Sequence, residues 1–401
     1  MRGRPNLVAE YRSDAAIFRS NVQRFWFVLL LVVVFYLALQ GRPDSPLPQL
    51  GPLHLGRDWM ILAVTAVFAS IGAIGLNIVT GYAGQVSLGH AFFLGLGAFT
   101  AAVLGGVEEV RMVPDLATGE MVEKTLLVGY GLDMIVWLPA AGLLAALCGL
   151  IVAPIATRVR GLYLAFVTLG LVFLGTHVFK TAKGYTGGTN GRPTAEVRLW
   201  SFRFDQDGEV FGFFMTKEQK LFFLGLVLLL VLGLAAKNLA RSKVGRAMAA
   251  VRDRDIAAEI MGIPLTRYKT LAFVISSFYA GIAGALLWSV ITRVQPGEFN
   301  LLLSVEFIAM ILIGGVATVS GSVMGACFIV FLPKVVEWLA GVPLFDLVIS
   351  TGVGEGVFDI FQFERILFGL LIVLFLIFEP LGLYGIWIRI RNYWKAYPFS
   401  Y

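Results

Sequence analysis

Residues 237–269, KNLARSKVGRAMAAVRDRDIAAEIMGIPLTRYK, form a charged island between two uninterrupted apolar runs, 221–236 and 270–292. Each run is close to the roughly 20 residues that cross a bilayer as a helix, so the island reads as a connection between two spans. It holds Lys237, Arg241, Lys243, Arg246, Arg252, Arg254, Arg267 and Lys269 against Asp253, Asp255 and Glu259. Such an excess of cations in a short connection marks the cytoplasmic side. Within it, Asp255 is placed to cap a short helix that Gly262 closes and that Pro264 forbids from continuing. Ile256 and Ile260 then share one face, four residues apart, with Ala257, Ala258 and Met261 beside them. The pattern predicts a small apolar-tipped helix on a basic connection, shaped for docking.

Outward from the island, the same apolar alphabet fills the chain. Of 401 residues, 58% are hydrophobic and 14% charged, with a mean hydropathy of +0.82. Soluble domains carry roughly a quarter charged residues, so this is an integral membrane protein. The formal charge of +6 is therefore a signal of membrane orientation, not of nucleic-acid binding. Apolar runs recur near 25–39, 59–79, 90–107, 135–155, 161–179, 221–236, 270–292, 305–318, 322–340 and 365–379. They predict an all-α protein of about ten membrane helices, and an even count puts both termini on one side. Five spans per half would give two pseudo-inverted halves, an arrangement common in transporters. The expected organisation is a cytoplasmic segment 1–24, a polytopic domain 25–386 with the charged loop 237–269 and an outer loop 180–220, and a basic cytoplasmic tail 387–401. No small-residue cleavage site follows the first run, which predicts an uncleaved first span.

Charge placement supports the count in part. Arg158, Arg160 and the island fall on predicted inner connections; Glu108, Glu109, Asp115, Glu120, Glu123, Asp346, Glu355 and Asp359 fall on outer ones. The outer segment 180–220 disagrees, because it carries Lys180, Lys183, Arg192, Arg198, Arg203, Lys217 and Lys220. It is long and mixed in sign, so it weakens the orientation without reversing it.

Residues 81–98, GYAGQVSLGHAFFLGLGA, are the second informative stretch. Five glycines surround Gln85, Ser87 and His90, all polar at membrane depth. Irregular backbone is tolerated there only where protein or a water-filled cavity encloses it. One reading is a partly broken Gly-rich helix beside a translocation path, with those three side chains lining it. The other is close helix packing through small residues. The Gly-rich turn near 319–325 makes the eighth and ninth spans candidates for broken helices as well. The loop 180–191, KTAKGYTGGTNG, offers Thr186, Gly187, Gly188, Thr189 and Asn190 as candidate contacts for an extracytoplasmic partner, or serves as a plain connector. Lys334 and Glu337, three apart, are expected to pair on one face. Cys148 and Cys327 both lie in apolar runs and read as small hydrophobes rather than a disulfide.

Absences narrow the function. The chain has no G-x-x-x-x-G-K-[ST] phosphate loop, H-E-x-x-H, Cys-x-x-Cys pair or G-x-S-x-G, so it has no sequence basis for ATP hydrolysis by that route or for the common hydrolase chemistries. No acidic residue falls at a span midplane, which argues against an ion-coupled secondary transporter. A membrane scaffold that recruits a soluble protein through the basic island is a third reading.

Residues 241–287, RSKVGRAMAAVRDRDIAAEIMGIPLTRYKTLAFVISSFYAGIAGALL, closely resemble the permease subunits of branched-chain amino-acid ABC importers of the LivM type. The likeness runs through Arg241, Ser242, Gly245, Arg246, Ala247, Ala250, Val251, Arg252, Asp253, Asp255 to Glu259, Gly262, Ile263, Lys269, Ala272 and Phe273. The stretch 81–98, YTGGTNG at 185–191 and EPLGL at 379–383 resemble the same family's other landmarks, whereas the N-terminal segment and residues 108–124 and 202–220 look inserted. The resemblance implies a subunit of the bacterial inner membrane that forms half of a pathway. Its partners would be a second related permease, two cytoplasmic ATPases and an extracytoplasmic solute-binding protein. It further implies that the chain binds no cofactor and that ATP and Mg are used by the partners. The segment with Arg246, Arg252, Asp255, Ile256, Ala257, Ala258, Glu259, Ile260 and Gly262 would be the coupling element. Branched-chain amino acids are the family default; urea, amides and aromatic acids are alternatives within the class.

Overall fold

The computed structural model describes residues 21–39, 57–114, 121–159, 161–210, 213–340, 349–350 and 358–396. Residues 1–20, most of the expected N-terminal segment, lie outside that set, as do Arg160, Asp115, Glu120, Asp346, Glu355 and the tail beyond Ala396. The chain divides into two compact units, Met1–Ile61 and Leu62–Tyr401. The described part of the first unit holds helix α1, Asn21–Leu39, and the first residues of α2, Arg57–Asn77.

The second unit is a bundle of apolar helices. After α2 come α3, His90–Leu104; α4, Met134–Arg158; α5, Leu162–Thr181; and a single turn α6, Lys183–Thr186. Then follow α7, Lys217–Arg241; α8, Lys243–Asp253; α9, Asp255–Ile260; and α10, Leu265–Val290. The last four are α11, Leu301–Gly314; α12, Val319–Ala340; α13, Ile360–Phe378; and α14, Gly382–Ala396.

Among the described residues, six helices are long and apolar enough to cross a membrane: Arg57–Tyr82, Met134–Arg158, Tyr163–Thr181, Lys217–Arg241, Leu265–Val290 and Val319–Glu337. Four shorter apolar helices, Arg24–Tyr36, His90–Leu104, Leu301–Gly314 and Ile366–Phe375, fall on the remaining four apolar runs. The chain is a multi-pass membrane protein, and helix dominates it. The departures from an all-helical chain are short strand pairs in the connections, antiparallel except for Ile349–Ser350 beside Phe358–Asp359, which run parallel. The 108–124 segment contains a hairpin of Glu109–Pro114 on Met121–Leu127. A second hairpin pairs Gly208–Val210 with Phe213–Met215.

The packing centre is α10, which lies along α4 and α3, while α3 also touches α4. Lipid tails are as apolar as these side chains, so close backbone approach and dispersion hold the helices together rather than exclusion of water. A Cβ at Gly97 would collide with the Gly281 carbonyl, and one at Gly284 with the Leu94 carbonyl. The glycines of 81–98 thus serve close packing at Gly97, the small-residue reading, and an opened backbone further upstream. α11 and α12 form a second pair, with a Cβ at Gly325 excluded by the Met310 carbonyl.

Candidate functional site

α2 does not end cleanly. Its last turn widens into a π-turn, Ile78–Tyr82, and the chain then runs non-helically until His90 begins α3. Each backbone group freed at membrane depth needs another partner, and side chains from distant helices supply several. Leu88 N–H donates to Thr168 Oγ1 at 2.9 Å and Ala91 N–H donates to Ser304 Oγ at 3.0 Å. Gly84 takes φ +67°, a conformation that suits glycine.

A second break separates α11 from α12 at residues 315–318, with Gly315 at φ +132° and Ala317 at φ +59°. The two breaks meet at Asn77. Its Oδ1 accepts Ala317 N–H at 2.8 Å, and its Nδ2 donates to Thr318 O at 2.9 Å and Ser322 Oγ at 2.7 Å. Asn77 is buried, so one amide side chain serves three partners at the core.

The expected path residues Gln85, Ser87 and His90 come together around the first break, and all three are buried. Ser87 Oγ accepts Gly89 N–H at 3.3 Å, which is local backbone support. His90 lies with its ring 4.9 Å from that of Phe307. Gln85 Oε1 and His90 Nε2 have no hydrogen-bond partner among the described residues. Beyond Phe307 a cavity of about 210 Å³ opens among Thr65, Trp288, Leu303, Glu306, Phe307 and Met310.

The charged island is helical for most of its length, not a loop. Ser242 Oγ accepts Gly245 N–H at 3.3 Å and starts α8, whose buried face is Gly245, Ala247, Met248 and Val251. The signal was in the sequence: a Ser followed by Val244, Ala247, Met248 and Val251 at helical spacing. α9 follows after Arg254. Asp255 sits at its first position rather than as its cap residue, which is Arg254, and its Oδ1 accepts Ile256 N–H at 2.9 Å. Gly262 ends the element at φ +82° with its N–H on Glu259 O, the left-handed stop expected of it. Ala258 faces inward at 4% exposure, whereas Ile256, Ile260 and Met261 are 64%, 80% and 82% exposed. Ala257 and Glu259 are exposed beside them. Arg246 is exposed and donates to Arg241 O at 2.7 Å. Arg252 instead reaches back to the membrane domain, donating to Gly81 O at 2.8 Å, at the end of the π-turn. A Cβ at Gly84 would come within 2.6 Å of Arg252 Cγ, so α8 rests directly on the break.

The loop candidates on the other side divide. Thr186 is buried and its hydroxyl donates to Phe179 O at 2.6 Å, so it builds the loop. Gly187 and Gly188 take positive φ. Thr189 and Asn190 are exposed. Arg192 organises this loop, which the sequence did not announce. It is buried, with Nη1 donating to Tyr185 O at 2.6 Å and Nη2 to Val128 O at 2.9 Å. Burial pushes its pKa down to about 10. Lys334 and Glu337 pair at 2.8 Å as expected, and both cysteines are free.

Residues 60–376 match the family described as branched-chain amino acid transport system, permease component. The chain is 32% identical over 349 residues to the high-affinity branched-chain amino acid transport system permease protein LivM of Salmonella typhimurium strain LT2, covering 83% of this chain and 71% of that one. It is 31% identical over 349 residues to the protein of the same name from Escherichia coli strain K12, with the same coverage. A more distant relative, the autoinducer 2 import system permease protein LsrC of Enterobacter sp. strain 638, is 28% identical over 145 residues, 32% of this chain and 42% of that one. No solved structure matches the chain.

Proposed function

Since the chain belongs to the branched-chain amino acid transport permease family, we propose that it forms half of the membrane pathway of an ABC importer for branched-chain or related amino acids. In this reading a second, related permease supplies the other half. Two cytoplasmic ATPases hydrolyse ATP with Mg, and an extracytoplasmic binding protein selects the solute. The chain itself is not an enzyme and holds no cofactor. It crosses the inner membrane ten times, as two halves of opposite topology, with both termini cytoplasmic.

The observation that supports the reading is the tip of α9. Three large apolar side chains standing mostly exposed outside a membrane bundle are costly in water. Covering one such side chain fully is worth about 1.5–3 kcal/mol, enough for a soluble groove to select the knob. Arg246 and Glu259 at its rim would set register more than affinity. Closure of the ATPases on ATP would move α9, and Arg252 would carry that motion to Gly81 and the first break. The two states need different contacts with the ATPases for anything to be transmitted. Gln85, Ser87 and His90 flank the moving backbone and remain the candidates for the path, and Thr189 and Asn190 the candidates for the binding-protein contact.

Replacing Ile256 and Ile260 together with Asp tests the proposal. The variant should insert and melt as the wild type, but lose co-purification with the ATPases and at least tenfold of ATP-driven uptake. Undiminished uptake by that variant would refute the coupling role.

A further inference from the structure

α14 reads GLYGIWIRIRNYWKA. At about 1.5 Å per residue its 15 residues reach roughly 22 Å, short of a hydrocarbon core of about 30 Å, and Arg389 and Arg391 lie within it. It is therefore not a span. Among residues 380–401 the charged side chains are Arg389, Arg391 and Lys395, all cations. Ile386, Trp387, Ile390 and Tyr393 are exposed, and their spacing of three and four residues puts them on one stripe. At about 3.6 residues per turn, Arg389 and Arg391 fall on opposite flanks of that stripe. Arg389 pairs with Glu379 at the turn before the helix, yet its side chain stays 68% exposed. Arg391 is part-buried and has no ion-pair partner among the described residues.

The first turn of α14 is fixed to the bundle, where the helix packs on α11 and α12. A Cβ at Gly382 would strike the Ile313 carbonyl, and one at Gly315 would lie 3.0 Å from Tyr384 Cβ. The helix thus starts on the second break. The same break meets the first at Gly81, where an added Cβ would come within 2.6 Å of Ala317 N. Gly81 O is also the acceptor of Arg252. α14 therefore lies at the same end of the bundle as α8, on the knob side.

The exposed stripe continues the lipid-facing surface of α13. Leu370, Val373, Leu374, Ile377 and Phe378 are exposed along that helix, and Leu381 carries the apolar surface over the turn to Ile386. A helix with an aromatic and aliphatic face between cations suits the boundary of headgroups and acyl chains. Trp and Tyr favour that level. Arginine stems can lie along apolar surface while the guanidinium reaches outward, where it forks onto phosphate oxygens.

We propose that α14 lies in the membrane plane and binds anionic phospholipid of the leaflet on the knob side. Ile386, Trp387, Ile390 and Tyr393 sit at the acyl boundary, with Arg389 and Arg391 on headgroup phosphate. Seated there, α14 braces the second break through Tyr384 and Gly315, so the charge of the leaflet bears on the joint that Asn77 fastens. The inference goes beyond the permease reading and does not depend on which solute is carried.

The test places the full-length chain in nanodiscs of phosphatidylcholine, with or without phosphatidylglycerol, and reads amide exchange over 383–393 and 315–318. Phosphatidylglycerol is expected to slow exchange in both segments roughly fivefold, the effect of one arginine at an anionic surface. Arg391→Gln should remove most of that difference, Arg391→Lys should keep it, and raised salt should shrink it. Ile390→Asp, at an exposed position, should quicken 383–393 in both lipid mixtures while the other helices keep their protection. Inorganic phosphate added to phosphatidylcholine discs should have no effect. Equal exchange in the two lipids, an undiminished difference in Arg391→Gln, or phosphate alone reproducing the protection would each overturn the lipid site. Protection that appears only when two copies share a disc would overturn it too, and would assign the face to a second copy. Slowing over 383–393 without slowing over 315–318 would overturn the bracing of the break.

Discussion

The Arg252 guanidinium donates to the Gly81 carbonyl at 2.8 Å, across 171 residues of chain. The helix that carries the exposed knob is thereby tied to the carbonyl at the end of the π-turn in α2. A hydrogen bond to a charged group contributes about 1.5–3 kcal/mol. The Arg252 side chain is 41% exposed, and screening by solvent puts the expected value at the low end. Arg252→Ala should leave the helical content and membrane insertion intact. Amide hydrogen exchange should quicken in both 81–85 and 250–255, and ATP-driven uptake should fall further than stability does. Arg252→Lys restores the charge but not the planar fork, so partial recovery is expected. Exchange unchanged in the 81–85 segment would mean that the tie carries no mechanical load.

Asn77 fastens the two breaks to each other. Asn77→Leu keeps a similar volume but leaves the Ala317 N–H without its side-chain acceptor, while Ser322 Oγ still has Thr318 O. A fully buried orphaned donor costs about 1–3 kcal/mol, and Ala317 N–H is part-buried, so the lower end applies. The variant should lower the detergent melting temperature measurably and loosen residues 315–318 selectively, as read by hydrogen exchange. Ser322→Ala removes only one of the three partners and should cost less. Equal losses for the two variants would contradict the central place given to Asn77.

The sequence carried the helices and the knob for different reasons than it hid the joints. Apolar runs report on membrane helices because the bilayer permits little else; six of the ten runs coincide with helices long and apolar enough to cross, and the other four with shorter apolar helices. Asp255, Gly262 and Pro264 punctuate α9 through local backbone chemistry, which needs no knowledge of the rest of the chain. Asn77 looked like any polar residue in a span, since its partners lie 240 residues or more away. Arg192 counted only as one more cation in an outer segment that disagreed with the charge rule. Its burial removes it from that tally, because a guanidinium held by backbone carbonyls says nothing of membrane orientation. Gln85, Ser87 and His90 were found as a group because polar side chains in a Gly-rich span are rare, but the backbone opening beside them was visible only as glycine content.

Gly262 meets nothing within 4 Å of an added Cβ, so any cost of substitution there comes from its φ of +82° alone. Gly262→Ala should destabilise the end of α9 by about 1–2 kcal/mol, and Gly262→Val by more, because a β-branched residue tolerates that region worst. Gly262→Asn should be milder. Global melting should hardly move, since the knob is peripheral. The readout is exchange of the amides of Met261, Gly262 and Ile263, which donate to Ala257, Glu259 and Ala258. Protection retained in Gly262→Val would show that the turn does not depend on a left-handed glycine.

Arg192 holds the opposite loop by donating to Tyr185 O and Val128 O from a buried position. Its depressed pKa of about 10 reflects a charge held at a desolvation cost, yet it leaves the guanidinium cationic throughout the neutral range, so both bonds persist there. Arg192→Met would fill the space and strand two carbonyls, at about 1–3 kcal/mol each. Arg192→Lys would reach one carbonyl but not fork across two, and should fall between. The loop would then lose the turn that presents Thr189 and Asn190, whose neighbour Gly191 can lie against the Val294 carbonyl only because it lacks a Cβ. Limited proteolysis within 185–191 should accelerate in the order wild type, Arg192→Lys, Arg192→Met. Equal rates for all three would mean that the pairing of Arg192–Pro193 with Arg293–Val294 holds the loop without the buried guanidinium.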